Sequence, residues 1–148
     1  MNIKFKIFLL FVVITFSSLA NATRPFISME QIIEQTPVIF EANVLEFKNV
    51  KAPNREMYFT YDEEALEISL QISKSWKGAQ KGNLKAYTWA LGKAPCTGIE
   101  IKKNSNYLIY AELDKSKKNL MFDFCRGFRP TKAKYVEGDL AILKRLFQ

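Results

Sequence analysis

No histidine occurs anywhere in the chain. Serine and cysteine nucleophiles of the usual kind pass their proton to an imidazole, so Ser-His-Asp and Cys-His sites are excluded in that form. Zinc sites with histidine ligands are excluded too. The only two cysteines, Cys96 and Cys125, cannot fill a four-ligand structural site by themselves. Phosphate-cradling loops are also missing, since neither GxxxxGK[ST] nor GxGxxG occurs. No apolar run reaches the roughly 20 residues that a membrane-spanning helix requires. These absences leave no cofactor to expect and no recognisable catalytic constellation, and the chain is expected not to be an enzyme.

What is present begins with export. Lys4 and Lys6 precede a ten-residue apolar run, "IFLLFVVITF", at Ile7–Phe16, and "ANA" at Ala20–Ala22 offers the small residues that a signal peptidase reads. The pattern predicts a secretory signal peptide over residues 1–22 and a single domain over 23–148, placed in a periplasm or outside the cell. No cysteine lies near the cleavage site to carry a lipid, and no membrane span is expected after cleavage. Hydrophobic residues make up 48% of the sequence, enough for a core and against disorder. The formal charge of +7 falls to about +5 without Lys4 and Lys6. The remaining lysines are scattered, which fits a basic soluble domain better than a dedicated anion surface.

"FDFCRGFRP" at residues 122–130 sets Cys125 among aromatic residues and two arginines. Arg126 and Arg129 could lower a thiol pKa, but neither accepts a proton, so a catalytic thiol lacks its base. Export places both cysteines in an oxidising compartment, and a Cys96–Cys125 disulfide is expected. Phe122, Phe124 and Phe128 then read as packing around it. The acidic run "YDEEALE" at Tyr61–Glu67 lacks calcium-loop spacing and reads as a solvated loop entering a strand.

Periodicity predicts the elements. "SMEQIIEQTP" is a short helix with Ser28 as N-cap, Gln31 completing a capping box and Pro37 past the end. Strands are expected at Val38–Lys48, Ala65–Trp76, Leu84–Ala90, Asn106–Leu113 and Leu120–Cys125, with some β character near Met57–Tyr61. The second alternates cleanly, Leu66, Ile68, Leu70 and Ile72 facing one way. The fourth, "NYLIYAEL", is continuously apolar, as a central strand should be. "DKSKKN" makes a hairpin turn, and "VEGDLAILKRLF" is a terminal helix. Five strands with helices at the chain ends are solved economically by a mainly β, OB-like five-stranded antiparallel barrel, whose closure removes exposed edges.

The succession of a short helix, "TPVIFEANVLEF", "LQISKSWKG", a cysteine loop, "NYLIYAEL", a second cysteine and "DLAILKRL" resembles the bacterial members of the tissue-inhibitor-of-metalloproteinases-like superfamily, which also includes netrin-type modules. The resemblance covers nearly all of residues 23–148, and "SKSWKG" and "NYLIYA" are its most specific pieces. It implies the same OB-like barrel. In the animal inhibitors a cysteine at the mature N-terminus covers a protease zinc with its amine and carbonyl, and disulfides pin it to two core segments. Cys96 and Cys125 match those core segments, but the expected start is "TRPF", with Thr23 in place of the cysteine. The chelating wedge lacks its pins, and tight inhibition of zinc endopeptidases is not expected.

The leading functional expectation is therefore an exported, non-enzymatic binding domain with an unidentified protein partner. Its contact region is expected at Thr23, Arg24, Pro25 and Phe26 together with the two cysteine loops, including Arg126, Phe128 and Arg129. A second reading is an OB barrel that binds a polyanion or nucleic acid through Trp76 with Lys77, Tyr87 with Lys85, and Arg126, Phe128 and Arg129. A third is a hydrolase with a carboxylate pair drawn from Asp62, Glu63 and Glu64. Alternation along a strand would make Asp62 and Glu64 the pair that shares a face.

Overall fold

The computed structural model describes residues 27–53, 64–79, 81–90, 92–93, 96, 100–116 and 118–148. The expected signal peptide and the expected β character near Met57–Tyr61 lie outside these residues. Helix α1 spans Met29–Gln35, strands β1 to β6 span Val38–Lys51, Glu64–Lys77, Gly82–Trp89, Asn106–Leu113, Leu120–Met121 and Phe128–Pro130, and helix α2 spans Val136–Phe147. The capping box forms as expected: the Gln31 amide donates to Ser28 Oγ at 3.3 Å, and the Ser28 amide donates to Gln31 Oε1 at 2.9 Å. The C-terminal end of α1 closes on Thr36, whose hydroxyl donates to the Ile32 carbonyl at 2.7 Å.

The strands form a six-stranded sheet in the order β1-β2-β3-β5-β4-β6, and a further β1–β4 pairing closes five of them into a ring. Within it, β4, β1, β2 and β3 follow one another in Greek-key order. β1 and β2 are each 14 residues long, and three register shifts between them bend the pair. The first half of β1 can thus pair with β4, Val38 opposite Ala111 through Asn43 opposite Asn106, while the second half continues along β2.

The structure corrects the expected arrangement in two respects. First, the strands are not all antiparallel: β3 and β5 run parallel, Ala86 opposite Leu120 and Tyr87 opposite Met121. A closed ring can alternate direction throughout only if its strand number is even, so a ring of five requires one parallel pair. Second, the expected strand Leu120–Cys125 ends after Met121. The Cys125 amide donates to Asp123 Oδ1 at 2.8 Å, and the Asp123 carbonyl accepts from the amides of Arg126 and Gly127 at 3.2 and 2.6 Å. This local turn competes successfully with the ladder. The chain then rejoins β4 as β6, Tyr107 opposite Pro130 through Ile109 opposite Phe128. At the rejoining point Gly127 tolerates no side chain, since a Cβ there would lie 2.5 Å from the Tyr110 carbonyl oxygen.

Two apolar clusters sandwich the β1–β4 wall. Inside the ring, Phe40, Leu66, Ile68, Leu70, Tyr107, Ile109, Phe122, Phe124 and Phe128 are buried together. Phe128 is the hub of this aromatic core, with ring centroids 4.0 Å from Tyr107, 5.3 Å from Phe122 and 5.5 Å from Phe124. Outside the ring, α1 and α2 lay Ile33, Val136 and Leu143 over Ile39, Trp76, Leu108 and Tyr110. Alternate residues of β4 therefore enter opposite clusters, which is why its sequence is apolar without interruption. Cys96 and Cys125 are disulfide-bonded with Cα atoms 5.5 Å apart. Their sequence separation of 29 corresponds to about 3.5 kcal/mol of loop-closure stabilisation.

Candidate functional site

The turn after β5 brings Cys125, Arg126, Phe128 and Arg129 together, but their side chains diverge. Phe128 is fully buried in the core, so it presents no binding surface. Arg126 is exposed, and its carbonyl accepts a hydrogen bond from Arg129 Nε at 3.1 Å. Arg129 turns the other way. Its guanidinium forms an ion pair with Asp139 of α2 and lies 5.2 Å from the centre of the Tyr110 ring. Asp139, only 10% exposed, interrupts the apolar stripe of Val136, Leu140 and Leu143. A charge in such a stripe signals a buried partner, and Asp139 is the residue in the sequence that carries this signal. The Tyr110 hydroxyl is buried beside the pair without a completed hydrogen bond. Burial raises its pKa well above the ordinary value and the Asp139 charge adds to this, while Arg129 opposes.

Thr23, Arg24, Pro25 and Phe26 lie outside the described residues, as do Asp62 and Glu63 of the expected carboxylate group. Glu64 is exposed at the start of β2. The first described residue, Ile27, borders a groove of about 200 Å³. Ile32, Pro37, Ala111 and Met121 line it, with Phe122, whose side chain is buried in the ring core. Glu112 and Asp123 supply carboxylates at its margin. This groove joins Ile27, the first described residue, to the turn after β5 that holds Cys125 of the disulfide.

"SKSWKG" knots α1 to the end of the β1–β2 pair. Ser73 Oγ donates to the Glu41 carbonyl at 3.1 Å, and Ser75 Oγ donates to the Ala79 carbonyl at 2.8 Å. Trp76 Nε1 donates to Glu41 Oε1 at 3.0 Å, with Lys74 Nζ 3.7 Å from its ring centre. Lys77 Nζ donates to the carbonyls of Ile33 and Glu34 at 3.1 and 2.7 Å, at the negative end of α1. Gly78 has φ +69°, and a Cβ there would meet the Pro37 carbonyl oxygen at 2.4 Å. Trp76 and Lys77, named together as a polyanion contact, thus have structural partners.

Tyr87 and Lys85 form a second cluster, on the outer side of β2 and β3. The Tyr87 hydroxyl donates to Glu67 Oε2 at 3.0 Å; Lys85 Nζ lies 3.0 Å and Lys48 Nζ 3.8 Å from Glu67 Oε1. Partial burial pulls the Glu67 pKa up, but the hydrogen bonds from Lys85 and Tyr87 and the two lysine charges outweigh it, and the net shift is downward. Glu67 is thus an outward-facing residue of β2, as the alternation of that strand predicts, with three side-chain partners. Nearby, Asp114 organises the β4–β5 turn. Its carboxylate accepts from the amides of Lys118 and Asn119 at 3.0 and 3.2 Å and from Asn119 Nδ2 at 2.7 Å. Burial raises its pKa, but the hydrogen bonds, those of Asn119 and Ser116 foremost, hold the carboxyl well below the usual range.

Among the described residues no group of three or more Asp, Glu or Cys side chains is arranged to hold a metal ion, and no helix is long and apolar enough to cross a membrane. The disulfide is compatible with an exported protein. No family model matches the chain, and no curated protein matches it.

Proposed function

We propose that this protein is an exported, non-enzymatic interaction domain, built on an OB-like barrel of the tissue-inhibitor-of-metalloproteinases-like type, that engages a protein partner beside the disulfide turn. The ring of five strands in Greek-key order supports the barrel reading. The observation that carries the functional reading is the groove lined by Ile27 from one end of the described chain and by Glu112 and Asp123 beside the disulfide turn. It brings Ile27, the first described residue, and the turn after β5 to one groove, though they are distant in sequence. Its apolar walls and the carboxylates of Glu112 and Asp123 suit an apolar partner side chain flanked by a cation. Thr23 at the expected start argues against covering a protease zinc. The basic residues offered for a polyanion have partners of their own, Lys77 on helix carbonyls, Lys85 on Glu67 and Arg129 on Asp139, which favours a protein over a nucleic acid.

A photo-crosslinking amino acid placed at Ile27 or Glu112 tests this in the envelope of the native cell. The same discrete adduct is expected from both positions and not from Gln71, across the molecule. Equal labelling at all three, or at none, would overturn the proposal.

A further inference from the structure

A cavity of about 380 Å³ lies at the start of β4, whereas the groove takes the other end of that strand. Lys102, Asn104, Ser105 and Asn106 line the cavity from the segment that leads into β4, and Pro130 and Lys132 line it from the end of β6. Both segments are held in place. The Tyr107 hydroxyl donates to the Glu100 carbonyl at 3.0 Å and accepts from the Lys102 amide at 2.9 Å. The Asn104 amide donates to the Val44 carbonyl at 2.8 Å, and the Val44 amide donates to the Ser105 carbonyl at 3.1 Å. Between these bonds Asn104 has φ +59°, a left-handed conformation that asparagine tolerates better than most residues. Thr131 donates to the Asn106 carbonyl with both its amide and its hydroxyl, each at 3.1 Å. Backbone fixed in this way reduces the ordering cost of binding.

The lysines that are scattered along the sequence are gathered here by the β4–β6 pairing. Residues 100–106 and 130–134 hold four lysines against one carboxylate, a surplus of three in a chain of formal charge +7. The carboxylate, Glu100, is paired with Lys102 at 3.1 Å, and both side chains are well exposed. Among the described residues the side chains of Asn104, Ser105, Asn106 and Lys132 have no hydrogen-bond or ion-pair partner. Lys77, Lys85 and Arg129 differ, since each is engaged elsewhere in the fold.

Two ammonium groups and three neutral donors, drawn from two segments, suit a group with two charges and several acceptor oxygens. A phosphate monoester carries about −1.5 to −2 charge at pH 7 and three strong acceptor oxygens. A carboxylate has one charge and two oxygens and is matched best by the planar fork of arginine, which the lining lacks. The volume is within the range of small-ligand sites and leaves room for the esterified alcohol. A nucleic-acid strand would need successive stacking rings. The one aromatic residue of the lining, Tyr107, is buried with its hydroxyl engaged.

We propose that this cavity binds a phosphate monoester, with Lys102 and Lys132 taking its charge, Asn104, Ser105 and Asn106 donating to its oxygens, and Pro130 flanking the alcohol. The site is independent of the protein contact proposed above.

Titration of the disulfide-intact protein with glycerol 3-phosphate at neutral pH, followed by amide chemical shifts, tests it. Saturable shifts are expected at Lys102, Ser105, Asn106 and Lys132. Dimethyl phosphate, a diester with a single charge, should bind far more weakly. Lys132→Gln, at an exposed position, should weaken binding about tenfold without moving the thermal midpoint. Lys81→Gln, in the β2–β3 turn, removes the same charge elsewhere and should change nothing. Glu100→Gln should tighten binding about threefold, because it releases Lys102 and removes a repelling charge. Vesicles of phosphatidylcholine with and without phosphatidic acid separate the sources of the monoester. Retention only with phosphatidic acid would assign it to a lipid headgroup, and binding of glycerol 3-phosphate without retention would assign it to a soluble ester. No saturation at millimolar glycerol 3-phosphate, tighter binding of dimethyl phosphate or octathymidylate, equal losses in the two lysine variants, or weaker binding by Glu100→Gln would each overturn the proposal.

Discussion

Two tyrosines stand on opposite outer sides of the ring, each beside a carboxylate and a cation, and the two clusters do different work. Tyr110 sits with Asp139 and Arg129 beneath α2, where Asp139 is 10% and Arg129 23% exposed. Tyr87 sits with Glu67 and Lys85 on the side no helix covers, where Glu67 is as buried as Asp139, at 11% exposed, but Lys85 is 58% exposed. The chemical parts are nearly the same; the covering differs. Under the helix, removal of one charge strands its partner in a low-dielectric site, so the cluster acts as a lock between β6 and α2. In the open, water screens the same kind of pair, and its main consequence is to fix the directions of Tyr87 and Lys85. Ion pairs named from sequence alone cannot be ranked until it is known what lies over them.

The largest expected difference follows directly. Arg129→Ala leaves Asp139 without its partner and should destabilise the protein by about 3 kcal/mol, read as a shift of the urea midpoint. The double change Arg129→Leu with Asp139→Leu should recover most of this, because the stranded charge is then gone. Lys85→Ala should cost about 0.5 kcal/mol or less. Equal losses for the two single variants would mean that burial does not separate the clusters.

Much of the fold was legible because local chemistry and tertiary packing agree there. Leu66, Ile68, Leu70 and Ile72 alternate because one side of β2 is core. Asn106–Leu113 is uninterrupted because both sides of β4 are covered. Ser28 and Gln31 spell out a cap that needs no distant partner. Legibility failed where a few residues override a pattern. The alternation of Phe122 and Phe124 predicts a strand, and both are indeed buried, but Asp123 folds the segment into a turn and three residues of β6 resume the pairing later. The parallel β3–β5 pair comes from ring closure, which no local window contains. The candidate sites were least legible. Arg129 reads as a surface cation until Asp139 is seen beside it, and the groove exists only once α1 and the β4–β5 segment are brought together.

A smaller effect separates the clusters by acid. The Glu67 pKa is lowered in the folded protein from an ordinary value of 4.5. Its contribution to stability is therefore fully present above that value and is lost as pH falls below it toward the folded pKa. Glu67→Gln should be less stable than the parent by about 1 kcal/mol at neutral pH. The gap should narrow as pH falls below 4.5 and close once the folded-state carboxyl is protonated too. Asp114 titrates in both proteins, so the difference between them isolates Glu67. A gap that persists unchanged in acid would show that the Gln variant is perturbed by packing instead.

The smallest effects lie in the hydroxyls themselves, and the two tyrosines should respond with opposite character. The Tyr87 hydroxyl donates to Glu67 at 3.0 Å, so Tyr87→Phe removes a charge-assisted bond and should cost about 0.5–1 kcal/mol. The Tyr110 hydroxyl is buried without a completed bond, so Tyr110→Phe removes an unsatisfied group and should leave stability within about 0.5 kcal/mol of the parent or slightly above it. The ring that faces Arg129 is retained in that variant. Alkali adds a check on sign. Both tyrosine pKa values are raised, chiefly by burial, so the folded protein holds both protons more tightly than the unfolded chain. That stabilisation is complete below the unfolded value of about 10 and is lost as pH rises through the folded values. The parent should accordingly lose stability relative to Tyr110→Phe above about pH 10, whereas at pH 7 the two should melt together. If Tyr110→Phe instead costs more than Tyr87→Phe at neutral pH, the Tyr110 hydroxyl completes its bond to Asp139 in solution, and the lock under α2 has three members instead of two.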